Sequence, residues 1–194
     1  MAIAAPVGPI GLLCIRRTLI DGWRVGLATG LGAATADAIY GGIAALGLTA
    51  VTGWLTAGKD LIRLIGGLAL VVIGLRTARS GVPEDGSQPG AFAIRKAYAT
   101  TVALTLGNPT TIVSFIGIIA SLGLDDAAAP DIATVVVGVA GGSTAWWLFL
   151  TTVVALMRRR IPATMVGWVN RIAAAGLIAI GLGVTSSAIL HLMR

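Results

Sequence analysis

The sequence predicts an all-α fold: a polytopic membrane bundle of six helices arranged as two inverted three-helix repeats, with the first helix truncated. Three observations predict it. Hydrophobic residues make up 56% of the 194-residue chain and charged residues 11%, with a mean hydropathy of +0.93, whereas a soluble domain carries about 25% charged residues. Glycine is abundant, at 27 residues, as expected where helices in lipid approach closely through small side chains. The apolar residues fall in long runs bounded by basic residues, the pattern of helices that satisfy their own backbone groups in hydrocarbon. The net charge of +6 therefore reflects topology, so the expected surrounding partner is membrane lipid and no nucleic-acid partner is expected. Cys14 is the one cysteine, which excludes a disulfide or paired-thiol redox site within one chain.

Crossing about 30 Å of hydrocarbon takes about 20 residues. The first run, Met1 to Ile15, would reach only about 22 Å. It has no basic start and its arginines follow it, so it does not read as a cleaved signal peptide. It is expected to be either a half-span or the remainder of a helix that begins upstream, the second being preferred. Val25 to Thr49 forms the second span. Leu61 to Leu75 is short and is accepted as the third because Arg63 and Arg76 could snorkel outward at its ends. Ala97 to Leu122, Ile132 to Met157 and Ile172 to Leu192 complete the set.

Basic residues then assign sides. Arg16, Arg17 and Arg24 follow the first span, Arg76, Arg79, Arg95 and Lys96 the third, and Arg158, Arg159, Arg160 and Arg171 the fifth. The opposite side holds only Lys59, Arg63 and Arg194, together with Asp125, Asp126 and Asp131. The positive-inside rule places the first group in the cytoplasm and both termini outside, in an inner membrane. The Gly/Pro/Ser-rich segment at 79–96 separates a first repeat, 1–78, from a second, 97–194. Three spans per half require the halves to be inverted if they are copies.

Prolines interrupt both halves at matching places. Pro6 and Pro9, flanking Val7 and Gly8, sit in the first span; Pro109 follows Gly107 and Asn108 in the fourth. Proline removes a helical hydrogen bond and pushes the residue before it out of helical dihedrals. Such breaks are tolerated in a membrane where they line a cavity, and a matched pair points to a solute site more than to two packing kinks. Asn108, Thr110 and Thr111 could coordinate a solute there or recap the freed backbone.

Asp37 is the second signal. It lies about 18 Å into its span, no other acidic residue falls within a span, and a carboxylate at such depth costs about 2.5–3.5 kcal/mol on insertion scales. It could take a proton, a sodium ion or a solute ammonium; the structural alternative is an arginine partner or a neutral helix–helix hydrogen bond. "GLGAATADA" (30–38) and "GVAGGSTAW" (138–146), in the second span of each half, share a small-residue pattern. Gly22, Gly26 and Gly30 offer a face for close helix contact. Trp146 and Trp147 lie too deep for an interfacial belt, so they wall a cavity or face lipid. His191 reads as interfacial.

These elements together resemble the lysine exporter (LysE/RhtB) family of amino-acid efflux proteins. The resemblance runs through "PVGPIGLLCIRRTLIDGWRVGLATGLGAATADAIY" (6–40), "IRLIGGLALVVIGLRTAR", with Arg63 where the family has lysine, and "GNPTT" (107–111). Val7 is inserted in the family's usual PGP, a departure expected to alter the turn's width. The resemblance implies six helices in two related halves, no enzymatic cofactor, and export of an amino acid or related small solute, coupled to the proton gradient through alternating access. The solute- and ion-binding residues it implies are Pro6, Gly8, Pro9, Asp37, Asn108 and Pro109, with Thr110 beside them.

Enzymatic motifs are absent: the sequence contains no GxSxG, HExxH or GxxxxGK[ST]. Two other readings stand beside the exporter. Divalent metal-ion efflux would have to rely on one buried carboxylate with no histidine, cysteine or methionine cluster beside it, a poor metal site. A non-transporting membrane assembly subunit would tolerate Asp37→Leu. The small-residue helix faces serve packing within or between chains equally well, which leaves a homo-oligomer open.

Overall fold

Helix α1 (Pro9–Ile20) opens on proline at its first position, behind an extended Gly8 (φ −77°, ψ −171°). Proline is at home there, because a first-turn N–H has no helical partner to lose. The computed structural model describes residues 8–45, 58–79, 90–108, 111, 115, 129–158 and 160–193. Pro6, Val7, Pro109 and Thr110 thus lie outside the described residues, whereas Gly8 and Pro9 lie within them. Pro9 opens α1 behind the extended Gly8, and the part of the expected break that precedes Gly8 lies outside the described residues. The helix then runs through Arg16 and Arg17, which were assigned to a connection, and stops where the Asp21 N–H bonds Arg17 O at 2.8 Å. Gly22, at φ +92°, turns the chain directly into α2; this is the left-handed region that glycine enters at least cost.

The remaining helices are α2 (Trp23–Ala45), α3 (Lys59–Arg79), α4 (Ala91–Leu106), α5 (Ala129–Arg158) and α6 (Ala163–Leu192). Both α3 and α6 extend beyond the runs of apolar residues that announced them. In α3, Arg63 pairs with Asp60 one turn earlier at 3.5 Å. In α6, Arg171 is helical and exposed, with its guanidinium 5.7 Å over the Trp168 ring. Helix α4 ends at Leu106 because Asn108 precedes proline and is disfavoured from helical dihedrals; the Gly107 N–H caps onto Ala103 O at 2.9 Å. Beyond the interruption Thr111 and Phe115 are again helical.

Packing interleaves the two sequence halves. Helix α3 lies along α6, while α2 is flanked by α5 and α4, and α1 joins the two groups by touching α2, α6 and α5. A central cluster of Ile10, Leu13, Ala33, Leu104, Trp147 and Leu177 draws on α1, α2, α4, α5 and α6. Glycine sets the closest approaches. A Cβ on Gly26 would lie 2.8 Å from Thr18 Cβ, and one on Gly30 would lie 2.6 Å from Trp147 Cβ.

Three of the described helices are long and apolar enough to cross a membrane, at 60–79, 133–158 and 164–192, and only 22, 11 and 33% of their apolar windows are buried against protein. Their hydrophobic side chains therefore point outward, Ile65, Phe149 and Trp168 among them. Water would not tolerate that surface, and lipid requires it. The chain is a multi-pass α-helical membrane bundle.

Candidate functional site

Asp37 sits on α2 at 6% exposure, facing α5, and accepts a hydrogen bond from Ser143 Oγ at 2.6 Å. A short hydroxyl donor is what a carboxylate away from water needs, since an ion-bearing group buried without a partner carries the full desolvation cost. The bond joins the two small-residue stretches that the sequence set in parallel, 30–38 and 138–146. Gly30 against Trp147 and Gly41 against Val139 bring the backbones together on either side of it. Small side chains thus let α2 and α5 approach closely enough for a short acid and a short hydroxyl to meet.

Ile10, next to Pro9, shares the central cluster with Leu104 and with Ala33 and Ala34, one turn before Asp37. One turn after Asp37's position, the Tyr40 hydroxyl donates to Leu106 O, a carbonyl left without a helical partner where α4 stops. The Tyr40 ring packs on Phe115, centroids 5.9 Å apart, beyond the interruption. Gly66 of α3 closes in from the other side: a Cβ there would lie 2.7 Å from Gly107 O. The end of α4 therefore meets α2 one turn from the Asp37–Ser143 pair, a region that Asn108 adjoins in sequence. Gly8 and Pro9 open α1, whose Ile10 belongs to the central cluster; Pro6, Pro109 and Thr110 fall outside the described residues.

Such a region offers a carboxylate, hydroxyls and helix-end carbonyls in the middle of an apolar bundle. These groups can hold and release a proton or an ammonium, the kind of chemistry that intramembrane acids serve. Among the described residues no three His, Cys, Asp or Glu side chains gather into a metal-ligating set.

Residue comparison decides the family. A family model described as "LysE type translocator" matches residues 1–187. The chain belongs to the LysE type translocator family. A curated relative of this translocator, named "Putative amino acid efflux protein YcgF", from Bacillus subtilis (strain 168), is 32% identical over 126 residues. That match takes in 63% of this chain and 59% of the relative, so the translocator matches about three fifths of the relative's length. No solved structure matches it.

A second polar network in the translocator had no counterpart in the sequence reading. Arg16, 8% exposed, donates from Nε to Asn170 Oδ1 at 2.6 Å and approaches Asp21 at 3.6 Å. Asn170 in turn donates to Thr77 O at 3.1 Å. This ties α1 to α6 and α3. Arg17 turns the other way, its Nη1 donating to Thr29 Oγ1 at 3.0 Å, Ala97 O at 3.2 Å and Thr101 Oγ1 at 3.3 Å, which ties α1 to α2 and α4. Two adjacent arginines are 100° apart on a helix, so each finds a different neighbour. The signal for Ser143 was present, four residues before Trp147 in a stretch already matched to that of Asp37. Nothing local marked Asn170.

Proposed function

We propose that this translocator exports amino acids or related small solutes across the inner membrane, driven by proton exchange at Asp37, through alternating access of two inverted three-helix halves. The observation that carries the reading is the Asp37–Ser143 bond between α2 and α5, one turn from the Tyr40 bond to the end of α4. Family membership supports a translocator, and the name of the Bacillus subtilis relative supports amino acids as the solute class. In this reading the repeats run 1–78 and 97–194, the linker at 79–96 is cytoplasmic, and both termini lie outside.

The physical logic is a population shift. A charged Asp37 favours the arrangement in which Ser143 and the adjoining helix ends solvate it. A protonated Asp37 loses that preference and frees α2 to repack against α5. A solute ammonium competes for the same carboxylate, so proton and solute bind alternately, and each biases which side is open. Gly8, Pro9, Asn108, Pro109 and Thr110 supply backbone and hydroxyl groups to the solute at the two interruptions.

A growth panel tests the function directly. Cells with and without the protein are challenged with toxic concentrations of amino acids, dipeptides and divalent metals. The reading expects protection against particular amino acids or dipeptides that disappears with Asp37→Asn. Protection against metals alone would favour metal efflux, and the absence of any solute-dependent difference together with tolerance of Asp37→Leu would favour an assembly subunit.

A further inference from the structure

Buried threonines in this bundle spend their hydroxyls on the carbonyl one turn back. Thr18 donates to Cys14 O, Thr29 to Val25 O, Thr101 to Ala97 O and Thr151 to Trp147 O, all at 2.7–2.9 Å. Thr105 departs from them. It is 4% exposed on the face of α4 that carries Thr101 and Leu104, yet its Oγ1 has no hydrogen-bond partner among the described residues. Trp147, 5% exposed, holds its indole Nε1–H in the same condition, and so does the neighbouring Trp146. A buried donor without an acceptor costs the whole desolvation of that group, so native structures leave few of them, and those they leave call for an explanation.

Their placement supplies one. Trp147 follows Ser143 by four residues, hence on the same face of α5, and Ser143 holds Asp37. Trp147 also shares the central cluster with Leu104, the residue before Thr105, and with Ala33 and Ala34, one turn before Asp37. One acid and two unused donors thus sit on α2, α4 and α5, each within one turn of a residue of this cluster or on the face that carries Ser143. A solute bearing both an ammonium and a carboxylate complements that set, with the ammonium on Asp37 and the carboxylate accepting from neutral donors. Hydrogen bonds from neutral donors to a carboxylate are charge-assisted and directional.

We infer that Trp147 Nε1–H and Thr105 Oγ–H form the carboxylate-binding end of the solute site, making the free carboxylate a requirement for recognition. The assignment rests on the exporter reading above. A site built to hydrogen-bond a group rejects analogues lacking it far more strongly than an apolar pocket discriminates by size, because its donors are then left unpaired.

The test is counterflow in proteoliposomes containing the full chain, with each exported amino acid compared against its own methyl ester. Wild type is expected to prefer the free acid by about tenfold or more. Trp147→Phe, which keeps an aromatic ring without the N–H, and Thr105→Val, which keeps the volume without the hydroxyl, are each expected to raise KM for the acid about tenfold while leaving KM for the ester unchanged. Thr105→Ser, which keeps the hydroxyl, is expected to restore the preference. Equal transport of acid and ester by wild type overturns the inference without recourse to any variant. So does a wild-type KM in both Trp147→Phe and Thr105→Val, which would leave those donors to water alone. Failure of wild type to transport any amino acid sinks the exporter reading itself, a result distinct from either.

Discussion

Ser143 is the group on which a charged Asp37 depends, since its hydroxyl is the hydrogen-bond partner that the 2.6 Å contact provides. Ser143→Ala leaves a buried carboxylate oxygen unpaired and is expected to lower stability by about 1–3 kcal/mol, read as a lower melting temperature in detergent, whereas Ser143→Thr keeps the hydroxyl and is expected to stay close to wild type. Asn170 plays the same part for Arg16. Asn170→Leu matches the size and removes the acceptor of the Arg16 Nε bond, so a loss of about 2 kcal/mol or more is expected; an unchanged melting temperature would show that Asp21 alone satisfies the guanidinium. Residues differ here in how legible they were. Asp37 announced itself, because a lone acid deep in an apolar run has few readings. Arg16 and Arg17 were misread, because an arginine pair after an apolar run looks like a membrane boundary and its true partners, Asn170 and Thr101, lie far along the chain. Ser143 lay in a stretch already matched to that of Asp37 but was not singled out, and Thr105 was invisible among the many hydroxyls of this composition.

At the scale of elements, helix ends and helix contacts divide the work of proline and glycine. Pro109 stops α4 through its effect on Asn108, and that ending was readable because the cause is local. Pro9 is the first residue of α1 behind an extended Gly8, and the sequence marked the place because a proline inside an apolar run fits either a break or a first turn. Glycine spacing was partly legible. Gly26 and Gly30 do serve close helix contacts, but Gly22, four residues earlier, serves the turn. Gly30→Leu would drive a side chain into Trp147, where even a Cβ comes within 2.6 Å of Trp147 Cβ. Overpacking of this kind costs about 1–3 kcal/mol and should part α2 from α5. A melting temperature lowered together with transport is the expected outcome; Gly138→Ala, where a Cβ meets nothing within 4 Å, is the control expected to change neither. The start of α6 at Ala163 rather than Ile172 reflects the same limit as α1: an exposed arginine such as Arg171 can ride on a helix, stacked on Trp168, without ending it.

At the scale of the molecule, the two sequence halves interleave. Helix α3 of the first half lies along α6 of the second, and α2 lies between α4 and α5, so the proposed movement of one half against the other would change the α2–α5 contact at Asp37. Composition alone made the membrane bundle legible, because lipid imposes helices with outward apolar faces; the interleaving was not, because all six helices are similarly apolar and nothing in their patterns names a partner. Cys14 gives a way to follow the assembly. It is fully buried, with its thiol donating to Gly26 O at 3.5 Å, and burial pairs it with low thiolate reactivity. N-ethylmaleimide is expected to leave the folded protein unlabelled and to label it once denatured. Against that silent background Ser87→Cys reports the side of the 79–96 linker, with labelling expected from the cytoplasmic face only. The central claim, that a titrating Asp37 couples solute to proton movement, is tested most directly by amino-acid-dependent proton flux in proteoliposomes. Asp37→Asn is expected to insert and fold like wild type yet to carry neither solute nor proton flux. Solute and proton fluxes at wild-type rates in that variant would contradict the account.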